Sequence, residues 1–310
     1  MDFDGPTRFK SDASENYGGF RDAAVDYIAN LAVEDRRGLL EKPLDWNPGN
    51  TSYFLNMQQL LCGLQAMQLT PKARIMEVGS GAGWTTEILA SLAFRVDCIE
   101  PSAEMIEVAR QRVRAHLAHH GVEHLVENLT WQCSTIEECE IADESVDAVI
   151  YFESFHHVID EHAAVERTLR VLKPGGRLLI LGDSNWIPGN AQQETAWNEE
   201  MQAYGTLESP FTDAYLLWLL RRSGFVDAER HHLVSGLVPV SRETEPVRAF
   251  AQLDATWVNL VLARKPTAED LADLPPEPEA RPEPEAPPEP VVAAPPPAPP
   301  VDPAPAPPRP

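Results

Sequence analysis

The sequence has 310 residues, of which 43% are hydrophobic, and its formal net charge at pH 7 is −23. A charge of this size and sign repels phosphate backbones and anionic lipid surfaces, which argues against nucleic acid as a partner. No stretch approaches the roughly 20 consecutive apolar residues that a membrane-spanning helix needs, so no membrane span is predicted.

The first 19 residues are polar, and apolar residues at helical spacing begin only after them. A first helix is predicted from about Arg21 to Lys42, because Pro43 ends the pattern there. A second helix follows the candidate N-caps Asn50 and Thr51 and runs toward Pro71. Two helices are therefore expected before the first strand.

From Ala73 onward, short apolar runs alternate with helical stretches, which is typical of a parallel sheet covered by helices on both faces. We predict an α/β fold with a doubly wound, Rossmann-like, seven-stranded and mostly parallel sheet. The predicted strands are Ile75–Val78, Val96–Glu100, Leu129–Cys133, Val146–Phe152, Arg177–Gly182, Val226–Leu233 and Trp257–Ala263. The main helices predicted between them are Thr85–Leu92, Ala103–His119, His162–Leu172 and Asp213–Ser223.

Most of the 29 prolines follow Leu274, in a run of Pro, Ala and Glu without aromatic residues. Such a segment cannot bury enough apolar surface to offset its ordering entropy. Residues 266–310 are therefore predicted to be a disordered tail that favours extended polyproline conformations. The predicted organisation is a polar segment over 1–19, one domain over 20–265 with N-terminal helices at 20–70, and this tail.

A glycine-rich turn, Gly79-Ser80-Gly81-Ala82-Gly83, follows the first predicted strand. Glycine permits positive φ and removes side-chain bulk, so a ligand can lie against the backbone at the start of the next helix. A dinucleotide fingerprint would place the third glycine one residue later, and the preceding carboxylate, Glu77, suits an ammonium better than a pyrophosphate. Both observations disfavour a nicotinamide-dependent oxidoreductase.

Polar residues at the ends of the next two strands extend this candidate pocket. Glu100 lies about twenty residues beyond the first glycine, where a carboxylate can accept both hydroxyls of a ribose. Pro101, Ser102 and Met105 could flank a flat base, and the segment Cys133-Ser134-Thr135 could meet its polar edge. Together these groups describe a site for an adenosine that carries an amino acid.

The glycine turn with Glu77 and the polar residues after the next two strands occur in an order along the chain that resembles the class I S-adenosylmethionine-dependent methyltransferases. The resemblance is strongest to the small-molecule group with a type 11-like methyltransferase domain. The segments 143–149 and 172–178 add to the resemblance, which covers about residues 71–182. It implies S-adenosyl-L-methionine as the cofactor, a cofactor-binding core at 71–182 and a substrate-side region at 183–265.

The resemblance also implies residue roles. It places Glu77 near the methionine ammonium and Glu100 on the ribose, while many relatives have an aspartate where this sequence has Ser134. The residues implied in cofactor binding are Glu77, Gly79, Ser80, Gly81, Gly83, Glu100, Pro101, Met105, Cys133, Ser134 and Thr135.

The loop after the fourth strand supplies the candidate catalytic residues Glu153, His156 and His157. Methyl transfer from a sulfonium is an in-line displacement, so positioning in a dry pocket matters most and a base helps chiefly with a hydroxyl acceptor. A histidine at such a place also caps or packs against the next helix, and this alternative stays open. No metal site is predicted, since no carboxylate pattern accompanies His116, His119, His120 and His124.

The predicted function is methyl transfer to oxygen, nitrogen or carbon of a small organic acceptor, with release of S-adenosylhomocysteine. A saccharide or another biosynthetic intermediate is the first choice of acceptor, and a quinone-like or lipid molecule is the second. The alternative is a non-catalytic cofactor-binding or interaction protein whose proline-rich tail binds a partner. Four cysteines without a CxxC pair predict a cytoplasmic location, and the sequence leaves a homodimer open.

Overall fold

The computed structural model describes residues 2–9, 42, 52–183, 185–234 and 255–272. The first predicted helix, apart from Lys42, lies outside the described residues, and so does the tail from residue 273 onward. The second predicted helix is present as α1, Ser52–Met67.

Six more helices are described along the chain. They are α2, Trp84–Ser91; α3, Ala103–His119; α4, Glu161–Val171; α5, Ala191–Tyr204; α6, Asp213–Arg222; and α7, Ala268–Ala272. Two 3-10 turns are Glu123–Asn128 and Phe155–His157. The strands are β1, Arg74–Val78; β2, Arg95–Glu100; β3, Leu129–Cys133; β4, Val146–Phe152; β5, Leu172–Leu181; β6, Val226–Val234; and β7, Ala255–Arg264.

The strands form one seven-stranded sheet in the order β3-β2-β1-β4-β5-β7-β6. Strands β1 to β5 are parallel, and β7 runs antiparallel to both β5 and β6. The predicted doubly wound, mostly parallel sheet is confirmed. Strand β5 begins earlier than predicted because Leu172 pairs with Val146 ahead of a register shift.

Strand β4 explains how the sheet holds its two layers of helices. Side chains alternate along a strand, and Val149 and Tyr151 of β4 join the core on one face. The intervening Ala148, Ile150 and Phe152 join the core on the other face. A strand buried on both faces reads as a continuous apolar run, which is the pattern in the sequence.

The order of the strands places a ligand site at the centre of the sheet. From β1 the chain builds outward to β2 and β3 and then returns to add β4 on the other side. Ligands of open α/β sheets bind at the carboxyl ends of the strands, at such a reversal. The turns after β1, β2 and β4 therefore define the place to look for a site.

Two segments differ from the predicted organisation. Residues 2–9, expected to precede the domain, pack on it: Phe9 N donates to Pro210 O at 3.0 Å, and Thr212 N donates to Thr7 O at 3.1 Å. Helix α7 lies inside the predicted tail, where Asp270 accepts two hydrogen bonds from Arg264 at 2.6 and 3.0 Å. Among the described residues, no helix is both long and apolar enough to cross a membrane.

Candidate active site

The glycine turn between β1 and α2 depends on glycine at two crowded positions. Gly79 has φ of 71°, and a Cβ placed on it would lie 2.6 Å from the Cβ of Ser154. Gly83 has φ of 81°, and its Cβ would lie 2.8 Å from the Cβ of Ala109 on α3. The first glycine lets the turn approach the β4 loop, and the third lets α3 pack against the start of α2.

The carboxylate of Glu100 ties the end of β2 to this turn. Its Oε2 accepts from Gly81 N at 3.0 Å, and its Oε1 accepts from Ser102 N at 3.0 Å. Burial raises the pKa of Glu100 to about 6, although the two backbone hydrogen bonds oppose the shift. Each carboxylate oxygen keeps a second lone pair for another donor, which fits a ribose diol.

Glu77 lies beneath the turn and is 2% exposed. Its Oε2 accepts a hydrogen bond from Thr86 Oγ1 on α2 at 2.6 Å. Burial raises the pKa of Glu77 to about 8, and the nearby Glu100 adds to the shift, while the Thr86 hydrogen bond opposes it. A cationic ligand group near this carboxyl would favour its ionised form.

The turn and the loops after β2, β3 and β4 surround one cavity of about 250 Å³. Its walls combine backbone from the glycine turn with side chains from both sides of the reversal point. The lining residues are Lys42, Val78, Gly79, Ser80, Gly81, Ala82, Trp84, Thr85, Ile99, Glu100, Pro101, Met105, Ser134, Thr135, Ile136, Glu137, Phe152, Glu153, Ser154, His157, Val158, Ile159, Thr206 and Leu207.

The β1 to β3 end of the cavity fits an adenosine that carries an amino acid. Ile99, Met105 and Ile136 supply apolar surface for a flat base, and Glu100 supplies acceptors for hydroxyls. Ser80 lines the cavity, and its hydroxyl is buried without a hydrogen-bond partner among the described residues. A buried polar group normally has a partner, so this hydroxyl fits a polar ligand group.

Most of the residues predicted to bind the cofactor line this cavity, and three do not. Glu77 directly precedes the lining residue Val78. Gly83 does not line the cavity, and its lack of a side chain allows α3 to pack closely. Cys133 is exposed, with its thiol 3.3 Å from Pro101 O. Ser134 and Thr135 do line the cavity, and Ser134 N is held by Glu100 O at 3.1 Å.

His157 is the cavity-lining member of the predicted histidine pair, and its side chain is 41% exposed. Its Nδ1 lies 2.7 Å from the carbonyl oxygen of Leu207. Because a carbonyl only accepts, Nδ1 carries the proton and Nε2 is left with its lone pair. The partial loss of hydration at the cavity wall and the nearby His156 cation lower the pKa of His157. The ring is therefore a neutral base near pH 7.

His156 lies outside the cavity lining, between two carboxylates. Its Nδ1 contacts Asp183 Oδ1, and its Nε2 lies 3.3 Å from Glu208 Oε2. Burial opposes the charge, but the hydrogen bonds and charges of Asp183 and Glu208 raise the pKa of His156 to about 10. The two histidines in turn hold the pKa of Glu208 at about 2 despite its burial. His156 is thus a buried cation.

The third candidate, Glu153, lines the cavity in an unusual backbone conformation. Its φ is 50°, a region that few residues other than glycine adopt, and such strain is common at functional sites. Its Oε2 pairs with Lys42 Nζ at 2.8 Å, and both side chains are partly exposed. Gly182 makes room for it, because a Cβ there would lie 2.7 Å from Glu153 Cγ.

Sequence reasoning missed Asp183 and Glu208, which hold the histidine pair. Asp183 lies two residues after the end of β5, and a polar residue so close to a strand end was a usable signal. Glu208 lies in the segment between α5 and α6, and nothing in its spacing connects it with residues 156–157.

No metal site was predicted from the sequence. In the structure, however, three side chains of the kinds that can bind metal ions lie close together beside the cavity. Potential ligand atoms of His156, His157 and Glu208 lie within 4.8 Å of one another. Since both ring nitrogens of His156 face carboxylates, a proton on each nitrogen satisfies them both. The contacts of this group are those of a hydrogen-bonded ion cluster.

Comparison with known proteins gives matches over the cofactor-binding core. Residues 76–180 match the family model described as "Methyltransferase domain". A ubiquinone biosynthesis O-methyltransferase of Xanthomonas oryzae pv. oryzae is 33% identical over 109 residues, which are 35% of this chain and 42% of that protein. A demethylmenaquinone methyltransferase of Clavibacter sepedonicus is 26% identical over 201 residues, which are 57% of this chain and 76% of that protein.

Among solved structures, the geranyl diphosphate C-methyltransferase of Streptomyces coelicolor A3(2) has the same fold, with a TM-score of 0.54 and 16% identity. The match covers 79% of this chain and 96% of that one. The chain spans less than half the length of the Xanthomonas relative. Residues 76–180 of the chain are therefore identified as a methyltransferase domain.

Proposed function

We propose that this protein is an enzyme that transfers the methyl group of S-adenosyl-L-methionine to a small organic acceptor and releases S-adenosyl-L-homocysteine. The observation that carries the proposal is that one cavity has Ser80 and Glu100 at its β1 to β3 end and His157, which follows β4, at the other end. The methyltransferase domain over residues 76–180 supports the same activity.

When bound, the cofactor supplies an electrophilic methyl group on a sulfonium. Glu100 accepts from the ribose, Ser80 hydrogen-bonds a polar group of the cofactor, and Glu77 favours the methionine ammonium from below the turn. The apolar residues Ile99 and Met105 enclose the base and exclude water. These residues hold the donor in place, and the glycine turn lets it lie against the backbone.

A hydroxyl group is the acceptor that best fits the opposite end of the cavity. His157 has a free Nε2, so it can take the hydroxyl proton while the oxygen forms its new bond to carbon. Glu208 lies 3.4 Å from Nδ1 of the same ring and stabilises the positive charge that follows. The step balances: the bond between the methyl carbon and sulfur would break as the carbon–oxygen bond forms, leaving the thioether of S-adenosyl-L-homocysteine. The acceptor becomes a methyl ether, and the ring becomes an imidazolium.

The acceptor end suits a molecule with an apolar face and several polar groups. Phe152, Val158, Ile159 and Leu207 supply apolar wall, whereas Thr206 and the Lys42–Glu153 pair supply hydrogen-bonding groups. A saccharide ring matches both features. A quinol offers a flatter apolar face and one reactive hydroxyl, and it is the acceptor class suggested by the name of the Xanthomonas relative.

The first test is calorimetric titration of the protein with the cofactor and with S-adenosyl-L-homocysteine. We expect micromolar binding of both, followed by release of S-adenosyl-L-homocysteine with at least one acceptor from a panel of methyl glycosides, catechols and quinols. No binding of either compound would overturn the proposal. Binding without turnover across the panel would favour the non-catalytic alternative, in which the tail binds a partner.

A further inference from the structure

Arg8, near the start of the chain, has a side chain that is only 1% exposed. Its guanidinium donates to three backbone carbonyls: Val158 O at 2.6 Å, Ser209 O at 3.1 Å and Ile159 O at 3.5 Å. It also pairs with Glu161 Oε2 at 2.7 Å. A planar fork of five donors can reach all four acceptors at once, which a lysine ammonium cannot do.

Two of the three carbonyls that Arg8 binds belong to residues that line the acceptor end. Val158 and Ile159 line the cavity directly after His157. Ser209 follows Glu208, and its backbone N donates to His156 O at 3.2 Å. Arg8 therefore joins the segment after β4 to the segment before α6, the two segments that hold the histidine cluster.

Phe9 packs in an apolar cluster with residues that form the acceptor end of the cavity. Its ring lies 5.3 Å from that of Trp197 on α5 and belongs to the small apolar cluster that contains Leu207. Ile159 packs against this cluster. Both Leu207 and Ile159 show another part of their surface to the cavity. The N-terminal segment thus packs against Leu207 and Ile159, two residues that an acceptor would contact.

We propose that Arg8 is a positioning residue that sets the geometry of the acceptor end, and that residues 2–9 are part of the substrate-binding structure. The inference rests on the proposed function, because it assigns the acceptor to this end of the cavity. Arg8 touches neither the cavity nor the cofactor end. Its loss should therefore weaken acceptor binding and leave cofactor binding unchanged.

A matched control is provided by Arg167 on α4, whose side chain is 11% exposed. Arg167 likewise pairs with a carboxylate, Asp143, at 2.9 Å and donates to the carbonyls of Cys139 and Ile141. None of these contact residues lines the cavity. Arg167→Lys therefore removes a comparable fork of hydrogen bonds at a place remote from the acceptor.

The experiment compares Arg8→Lys with Arg167→Lys in the full chain. Hydrogen exchange should become faster at residues 156–161 and 206–211 only in Arg8→Lys, and the dissociation constant of S-adenosyl-L-homocysteine should stay within about twofold of wild type in both. With the panel acceptor that gives the fastest turnover, the acceptor KM should rise about tenfold or more only in Arg8→Lys. Thermal unfolding confirms that both variants fold.

Unchanged exchange in those two segments, or an equal rise of acceptor KM in both variants, would overturn the role of Arg8. A failure of the proposed function would look different, because wild-type protein would then not bind S-adenosyl-L-homocysteine, whereas the exchange difference between the two variants would persist. A drop in cofactor affinity in Arg8→Lys alone would also contradict the inference, since it would place the effect at the other end of the cavity.

Discussion

Glu100 and Gly81 are joined by a hydrogen bond of 3.0 Å between a carboxylate oxygen and a backbone amide. The end of β2 thereby fixes the turn after β1, and a carboxylate that is proposed to bind ribose also shapes the loop that meets the rest of the cofactor. In Glu100→Gln, one amide NH₂ would face either Gly81 N or Ser102 N, which are themselves donors. The substitution therefore removes ligand contacts and disturbs the turn.

We expect Glu100→Gln to weaken binding of S-adenosyl-L-homocysteine about tenfold or more, the scale of one lost hydrogen bond to a charged group. Calorimetric titration measures the change. The control is Glu104→Gln, which changes an exposed glutamate in the first turn of α3. An equal effect of both substitutions would mean that Glu100 has no special place in cofactor binding.

The pKa of Glu100 also predicts how cofactor affinity depends on pH. The ionised carboxylate accepts hydroxyl hydrogen bonds, and its pKa in the free protein is about 6. Affinity should therefore be lower at pH 5 than at pH 7, because protonation removes an acceptor as the pH falls through 6. Titrations at several pH values check this, and in Glu100→Gln the dependence across this range should shrink.

Glu77 should destabilise the folded protein at alkaline pH. Its pKa is about 8 in the folded state and near 4.5 without burial, so folding stability falls as pH rises between these values. Glu77→Gln keeps an acceptor for Thr86 and removes the buried charge. We expect the difference in melting temperature between variant and wild type to favour the variant more at pH 8.5 than at pH 5, while cofactor affinity falls. A difference that is the same at both values would contradict the shifted pKa.

The neutral state of His157 predicts the shape of the pH–rate profile. Since the pKa of this ring is lowered below its usual 6.5, kcat/KM should rise with pH up to that region and then level off. His157→Gln should remove the rising limb and lower turnover of a hydroxyl acceptor about 100-fold or more. His119→Gln, at the exposed end of α3, is the control. Normal turnover in His157→Gln would rule out the base.

Gly79→Ala tests whether close approach, and not only backbone conformation, requires glycine in the turn. A Cβ at this position would collide with Ser154, whose hydroxyl donates to Val78 O at 2.7 Å. We expect loss of about 1–3 kcal/mol in stability together with loss of cofactor binding. Gly189 has φ of 83°, and apart from its chain neighbours no described residue has an atom within 4 Å of an added Cβ, so Gly189→Ala isolates the conformational part. Comparable losses in the two variants would contradict a steric role for Ser154.

The sheet was predictable because its central strands are apolar on both faces and most of its helices are periodic. Strand β4 reads as an almost continuous apolar run, and its bounds agree with those predicted. Helix α5 was missed, although Trp197 and Met201 stand four residues apart, because its other positions are mostly polar and its buried face is narrow. A short apolar stripe of this kind gives a weak periodic signal.

The proposed cofactor end was predictable because its residues lie at the ends of neighbouring strands. Gly79 and Gly81 follow β1 and Glu100 ends β2, so their positions in the sequence already indicate that they lie close together. The acceptor end was not, because its geometry depends on long-range contacts. Glu208 and Arg8 reach the histidine region from segments far away in the chain. No spacing rule connects them, and only the packed structure brings them together.

The hydrogen bond from Arg8 to Ser209 joins residues 201 positions apart in the chain. On a ribosome that adds 5–20 residues per second, Arg8 is made about 10 to 40 s before its partner. The strands and turns of the cofactor end have all been synthesised within that interval. The nascent chain can therefore assemble its donor half first, and the acceptor half closes only when Ser209 has left the exit tunnel.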